Sequence, residues 1–287
     1  MINLSTIKSQ KSTKELLQFS IINIDKPSGP TSFTVSQFVK KALNLNKTSH
    51  LGTLDPQVTG VLPVALNRAC RLNEYLMHRD KTYVGIMHLH NEIKKETLEK
   101  EIENFIGKII QLPPVRSRVK RAERIREVKT LKILEINRQD VLFESQVQAG
   151  TYIRKLIHDL GEKIGGAHML ELRRTQAGVF NEKDSINLYE FEKIIEDFKN
   201  GNEEPLRKVL IPGEIVANLL PTIKIKKDVV KKVLTGSPIF ASFLDEKIPE
   251  EIEENEKICV FSEDKFIGCY NYINKGDLIA KPEFVLN

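Results

Sequence analysis

Read as a succession of apolar and polar positions, the chain resolves into short strands and amphipathic helices, an α+β pattern. Residues 19–25 (F-S-I-I-N-I-D) predict a strand. Lys26-Pro27-Ser28-Gly29-Pro30 makes a turn, and Thr31 or Ser32 caps the following helix, where Val35, Phe38, Val39 and Ala42 form one stripe. Residues 58–66 crowd Val58, Val61, Leu62, Val64 and Leu66 into a run with no charge from Gln57 to Asn67, which reads as a buried element. From Lys81 a strand places Tyr83, Gly85 and Met87 on one face and Val84, Ile86 and His88 on the other. Thr97 starts a short helix (Leu98, Ile102, Phe105, Ile106) closed by Gly107. Residues 128–136 and 140–148 form a hairpin around Asn137-Arg138-Gln139. Ile153, Leu156, Ile157 and Leu160 mark a helix ended by Gly161, and Phe191, Ile194, Ile195 and Phe198 mark another.

At its two ends the chain has a different texture. Residues 1–18 are polar and expected to be loosely held or paired elsewhere in the fold. Beyond Pro221 come a short helix at 228–234 and brief strands near 238–242, 258–261, 266–270 and 278–280, separated by turns. That spacing predicts a small β-barrel or pseudobarrel. The expected organisation is an N-terminal segment 1–18, a large unit 19–220 and a small unit 221–287, with segment 1–18 packing on the small unit.

Composition narrows the partners. With 287 residues, 40% hydrophobic and 29% charged, the chain has the balance of an ordinary globular protein. Its net charge of +5 conceals a basic block. Residues 111–130 hold Arg116, Arg118, Lys120, Arg121, Arg124, Arg126 and Lys129 against Glu123 and Glu127. If 113–120 is extended, Arg116, Arg118 and Lys120 share a face; a charged edge strand does the same. The block runs on past what edge protection requires, which points to a polyanion, most simply nucleic acid. Cys70, Cys259 and Cys269 are too scattered for a disulfide framework or a zinc site. Cys259 and Cys269 could face each other across a hairpin, as buried thiols. No segment has the length of a membrane helix and the N-terminus lacks a signal-peptide core, so a cytoplasmic protein is expected.

The candidate chemistry lies at His50-Leu51-Gly52-Thr53-Leu54-Asp55-Pro56. Gly52 permits a tight turn, and Pro56 biases Asp55 to an extended conformation, so the carboxylate stands on a stiff corner. A Leu-Asp-Pro alone is ordinarily just a turn. In H-x-G-T-L-D-P-x-V-T-G-V-L-P-V-A-L it resembles the catalytic motif of the TruB/dyskerin family of pseudouridine synthases.

Further stretches carry the resemblance. K-x-Y-x-G at 81–85 is similar to the second motif, which implies that Tyr83 stacks on the target base. G-T-Y-I-R at 150–154 opens the third, implying that Arg154 pairs with Asp55. L-E-L-R-R-T-Q-A-G at 170–178 resembles the next, in which Leu172 lines the pocket and the arginines brace the fold. P-P-V-R-S-R-V-K-R at 113–121 resembles the thumb of archaeal and eukaryotic members, with Arg116, Lys120 and Arg121 gripping substrate RNA; Arg118 stands where alanine is usual. Tyr152 is assigned to the pocket wall or a proton relay, and His50 to RNA contact. The implied fold is that of a pseudouridine synthase, a mixed, largely antiparallel sheet flanked by helices, with a C-terminal PUA-like domain.

The implied reaction breaks the C1′–N1 bond of uridine, turns the base and rejoins it through C5, so neither metal nor coenzyme is expected. Asp55 acts as nucleophile or general base, and both roles remain open. Arg154 is expected to keep Asp55 ionised in a desolvated pocket. Losing it would then leave a buried charge unpaired, at a cost of about 3–5 kcal/mol shared between stability and catalysis. A uridine that leaves its stack needs an aromatic platform, which Tyr83 supplies. The family divides into enzymes that read the tRNA T-loop alone and catalytic subunits of H/ACA ribonucleoproteins. The basic stretch and the PUA-like tail favour the archaeal guide-dependent kind, with rRNA and tRNA as substrates and guide RNA and small H/ACA proteins as partners. A short region before Phe19 argues the other way. A non-catalytic RNA-binding scaffold is the alternative of another class.

Overall fold

A computed structural model describes residues 2–113 and 120–287. The polar start of the chain forms α1 (Leu4–Gln10) and α2 (Thr13–Gln18), the second of the two alternatives read from its polarity, a segment paired elsewhere in the fold. Asn3 caps α1 by accepting from the amides of Ser5 and Thr6, and Ser12 with Glu15 forms a capping box on α2. Two apolar side chains, Ile7 and Leu16, are buried, and Arg207 donates to the carbonyls of Lys8 and Lys11. Caps and a few well-placed contacts hold this polar segment in place.

The larger sheet is built from β1 (Ser20–Lys26), β2 (Thr48–His50), β3 (Thr59–Leu66), β4 (Lys81–Leu89), β5 (Gly107–Gln111) and β6 (Arg124–Asn137). It continues with β7 (Asp140–Val147), β8 (Ala167–Ala177), β9 (Phe180–Asn181), β10 (Ile186–Asn187) and β11 (Ile211–Pro212). Its order is β10-β1-β3-β8-β4-β7-β6-β5, with β2 beside β3, β9 beside β8 and β11 beside β1. The pairings are antiparallel except β1 with β10 and β3 with β8. Helices α3 (Ser32–Ala42), α4 (Asn73–Met77), α5 (Lys95–Glu103), α6 (Ile153–Lys163), α7 (Leu188–Lys199) and α8 (Glu204–Val209) accompany it. The predicted stripes face inward: Val35 and Val39 of α3, Leu156, Ile157 and Leu160 of α6, and Phe191 and Ile195 of α7 share one core with Ile22, Ile24, Leu62 and Val64.

A second sheet contains β12 (Thr222–Lys224), β13 (Ile239–Phe240), β14 (Lys257–Ser262), β15 (Lys265–Lys275) and β16 (Leu278–Val285), with α9 (Val230–Leu234) beside it. Its order is β12-β14-β15-β16-β13. Register shifts at Val260/Phe261, Cys269/Tyr270 and Tyr272/Lys275 bend the strands around a core of Ile223, Val233, Val260 and Tyr270, a curled half-barrel. Cys259 and Cys269 are direct cross-strand partners, buried and unoxidised, as the hairpin reading anticipated.

The two sheets share a further core. Ile7, Phe19, Ile21, Val61 and Leu72 pack in one cluster with Cys259, Phe261, Phe266 and Phe284. Phe19 stacks on Phe266 with centroids 5.4 Å apart. Among the described residues no helix is long and apolar enough to cross a membrane.

Glycine stands where the chain comes close to itself. Gly161 does not end α6, which continues to Lys163; a Cβ there would lie 2.4 Å from the amide nitrogen of Ala167, so close packing on β8 explains it. Gly165 and Gly166, at φ +87° and +112°, make the turn instead. Likewise α5 stops at Glu103, and Gly107 opens β5. Gly60 has φ +100°, and a Cβ at this position would lie only 2.2 Å from the Arg174 carbonyl oxygen. Gly60→Ala should therefore lower stability by about 3 kcal/mol or more. A denaturant midpoint close to wild type would show that β3 and β8 can move apart at this point.

Candidate functional site

The loop that carries Asp55 is held from behind by the joint between β1 and α3. Lys26, fully buried, donates from Nζ to the carbonyls of Pro27 (2.8 Å) and Pro56 (2.9 Å). The Gly29 amide donates to the same Pro56 carbonyl at 2.9 Å. Ser32 Oγ donates to the Leu54 carbonyl (3.0 Å) and accepts from the Leu54 amide (2.8 Å). Inside the loop, the Val58 amide donates to the Asp55 carbonyl at 3.1 Å. Leu54 and Val58 are buried in the main core while Asp55 between them is exposed, so the backbone is anchored and the carboxylate stands outward.

From the other side, β8 supports the same loop. Its parallel pairing with β3 sets Gly60 beside Arg174, whose side chain is 1% exposed. Arg174 Nε donates to the Val61 carbonyl at 2.8 Å and Nη2 to the Gly52 carbonyl at 3.1 Å. Gly52 has φ +101°, and Arg174 Nη1 lies 3.4 Å from where its Cβ would be. The neighbouring Arg173 makes a bidentate pair with Asp25 (2.8 and 3.0 Å) and a bond to Glu182 (3.0 Å).

Arg154 is the second residue of α6, away from the apolar stripe, and its Nη2 lies 2.5 Å from Asp55 Oδ2. The side chains are 61% and 50% exposed. The desolvated pocket expected around this pair is thus absent in the free chain. Both groups sit at the tips of surface-facing side chains, and water can reach them.

Tyr83 lies on β4, directly opposite Arg174 on β8 and Ser145 on β7. It is half-buried and packs against the main core. Leu172, buried, pairs with Gly85 two residues along. Tyr152 occupies the N-cap of α6. His50 Nε2 lies 3.1 Å from Thr53 Oγ1. Burial, and then the positive charge of Arg174, lower its pKa, so the imidazole is neutral at neutral pH. Arg116 lies outside the described residues. Lys120 and Arg121 are exposed, and the basic run continues through Arg124 and Arg126 on β6. The fold brings Asp55 and Arg154 into contact. It relates Tyr83 to them through Arg174, which neighbours the tyrosine across the sheet and grips the loop at Gly52.

Two buried lysines escaped the reading of the sequence as site components. Lys26 appeared as the first residue of a turn; its place at the end of an otherwise buried strand was the available signal. Burial lowers its pKa, and the nearby Asp55 acts in the opposite direction. Lys81, 6% exposed, donates to the carbonyls of Met77 and Arg79. Burial, reinforced by Arg174, pushes its pKa down to about 8. Lys26 thus places positive charge behind a carboxylate that faces outward.

A sequence model described as TruB family pseudouridylate synthase (N terminal domain) matches residues 40–102. One described as tRNA pseudouridylate synthase B C-terminal domain matches residues 154–217. The chain is 42% identical over 255 residues to a probable tRNA pseudouridine synthase B from Methanopyrus kandleri, covering 88% of this chain and 75% of that protein. To a protein of the same name from Thermococcus onnurineus it is 48% identical over 231 residues, covering 78% and 68%. Among solved structures it resembles a chain in a Cbf5-Nop10-Gar1 complex, with TM-score 0.89 and 38% identity over 97% of this chain and 88% of that one. It also resembles a chain of an H/ACA RNP bound to a substrate RNA containing 2′-deoxyuridine, with TM-score 0.88 and 36% identity over 98% and 89%.

Proposed function

This chain belongs to the TruB family of pseudouridine synthases, and from that premise we propose that it isomerises uridine in rRNA and tRNA under the direction of an H/ACA guide RNA. The observation that carries the site is the Asp55–Arg154 pair at 2.5 Å, formed by two motifs far apart in the chain. Asp55 meets the ribose of the target as nucleophile or general base. Arg154 orients the carboxylate, more strongly once bound RNA excludes water. Tyr83 offers its ring to the flipped uracil, and Leu172 forms the apolar wall beside it. His50, neutral at physiological pH, serves as a hydrogen-bonding contact to RNA, and Tyr152 lines the pocket or relays a proton.

Support for the guided form comes from the likeness to Cbf5 in complexes with Nop10 and Gar1, which extends over nearly the whole chain. Small proteins of that kind are the proposed partners, and residues 221–287 the proposed PUA-like RNA-binding unit, with the cytoplasm as the place of action. Action on tRNA without a guide is a second reading, favoured by the name tRNA pseudouridine synthase B of the relatives. Pseudouridine formation by the isolated chain on T-loop tRNA, compared with guided RNA plus partners, separates the two. Turnover only in the guided mixture supports the first, and equal turnover on bare tRNA supports the second.

The basic run is the proposed grip on substrate RNA. Neutralising Arg116, Lys120 and Arg121 together should weaken binding uniformly across target sequences. The slope of log affinity against log salt should become shallower by about 0.7 for each single-strand phosphate that is no longer neutralised. Parallel salt lines for wild type and triple variant would leave this stretch a solvated face.

A further inference from the structure

We propose that Gln111 is the positioning residue for Arg154, setting the Asp55–Arg154 pair by holding the backbone of Tyr152; this rests on the function proposed above. Gln111 ends β5 and is 2% exposed, so its amide must find partners inside the protein. Both go to one residue. Nε2 donates to the Tyr152 carbonyl at 3.2 Å, and Oε1 accepts from the Tyr152 amide at 2.9 Å. A side chain here makes the two-way bond that a neighbouring strand would otherwise make.

Tyr152 is the residue from which α6 starts. Its backbone is extended (φ −93°, ψ 100°), and its side chain makes no capping hydrogen bond to the helix. Its carbonyl also accepts the first helical bond, from the Leu156 amide at 2.9 Å. A helix that lacks a Ser, Thr, Asp or Asn cap depends on something else to fix its first turn. Gln111 does so from the adjacent strand, two residues ahead of Arg154.

The rest of the turn is clamped by β6, the antiparallel partner of β5. The Gln148 amide donates to the Glu127 carbonyl at 2.8 Å, and Thr151 closes back on Gln148 through its amide and its hydroxyl. Gly150, at φ +84°, lies under the Arg126 guanidinium, 3.2 Å from where a Cβ would be. The hairpin that carries the basic residues therefore also carries the support for Arg154. An ion pair this exposed contributes little to holding its own geometry. Where α6 begins decides where the guanidinium stands, and a displacement of about 1 Å can cost roughly 10²-fold in rate.

The test is single-turnover conversion of a target uridine at saturating RNA, with RNA affinity and circular dichroism measured on the same preparations. Gln111→Met keeps the size and removes both hydrogen bonds. It should slow conversion by about 10- to 100-fold with RNA affinity unchanged. Placed on an Arg154→Lys background it should cause no further loss, because both changes act on one group. Losses that multiply would show that Gln111 acts by a route other than Arg154, through Tyr152 itself or the fold, and would overturn the proposal, as would an unchanged rate in the single variant. Should Gln111→Met not fold, Gln111→Glu decides the matter, since only its neutral acid can both donate to and accept from Tyr152. Burial raises the pKa of an acid at this position above the ordinary value of about 4.3, so its rate relative to wild type should rise as pH falls from about 8 towards about 5, and a flat ratio rejects the proposal. Absence of conversion by the wild-type chain, both alone on tRNA and in the guided mixture with partner proteins, is a different result, which rejects the proposed function and the role of Gln111 with it.

Discussion

Asp55→Asn is expected to abolish uridine isomerisation, by roughly 10⁴-fold or more, while RNA affinity stays near that of wild type. The amide keeps the size and the outward orientation of the side chain, because the loop is anchored through its backbone by Lys26, Gly29 and Ser32. Only the negative charge is lost, and with it the group that can attack or deprotonate the ribose. The same backbone anchoring predicts an unchanged unfolding midpoint. Turnover near that of wild type in a folded, RNA-binding Asp55→Asn protein would remove this residue from the mechanism.

Arg154→Ala should lower single-turnover conversion by about 10²-fold or more, the usual cost of one preorganised charged donor. Its effect on stability should be small, about 0.2–1 kcal/mol, because half or more of each side chain is in water. Of the loss anticipated for a buried pair, shared between stability and catalysis, the share in stability is small in the free chain because the pair is exposed. On the proposed function, bound RNA excludes water from the pair, so the loss is expected in the rate. Thermal unfolding of wild type and variant without RNA, beside single-turnover rates with RNA, tests both halves. A fully active Arg154→Ala would show that contact with Asp55 has no role in the chemistry. A variant that is badly destabilised but normal in rate would mean that the arginine serves α6 alone.

Some of this was legible along the chain because it depends on local spacing. The uncharged run ahead of Asn67 could only be buried, and it is β3, at the centre of the sheet. The stripe Ile153, Leu156, Ile157 and Leu160 dictated which face of α6 turns inward, and so left Arg154 off that face. Thr31, read as a cap, stands at the N-cap of α3 and accepts from the Thr34 amide. In each case the physical cause acts within a few residues, over one turn or one pleat.

Contacts between distant segments were not legible in the same way. Gly161 looks like a helix stop in sequence, and only the position of Ala167 shows that it is a point of close approach inside a continuing helix. Lys26 looks like a turn residue until the Pro56 carbonyl is seen to need a donor. Phe19 and Phe266 each predict a buried aromatic, and neither predicts the other. The amino-acid sequence by itself determined the elements, their inward faces and, through its motifs, the family. The tertiary structure alone decided how exposed Asp55 and Arg154 are, which carbonyls the buried lysines satisfy, and that Gln111 on one strand supports the helix that bears Arg154. Periodicity records which way a residue faces, and the partner it meets there is set by a register between strands that no local pattern contains.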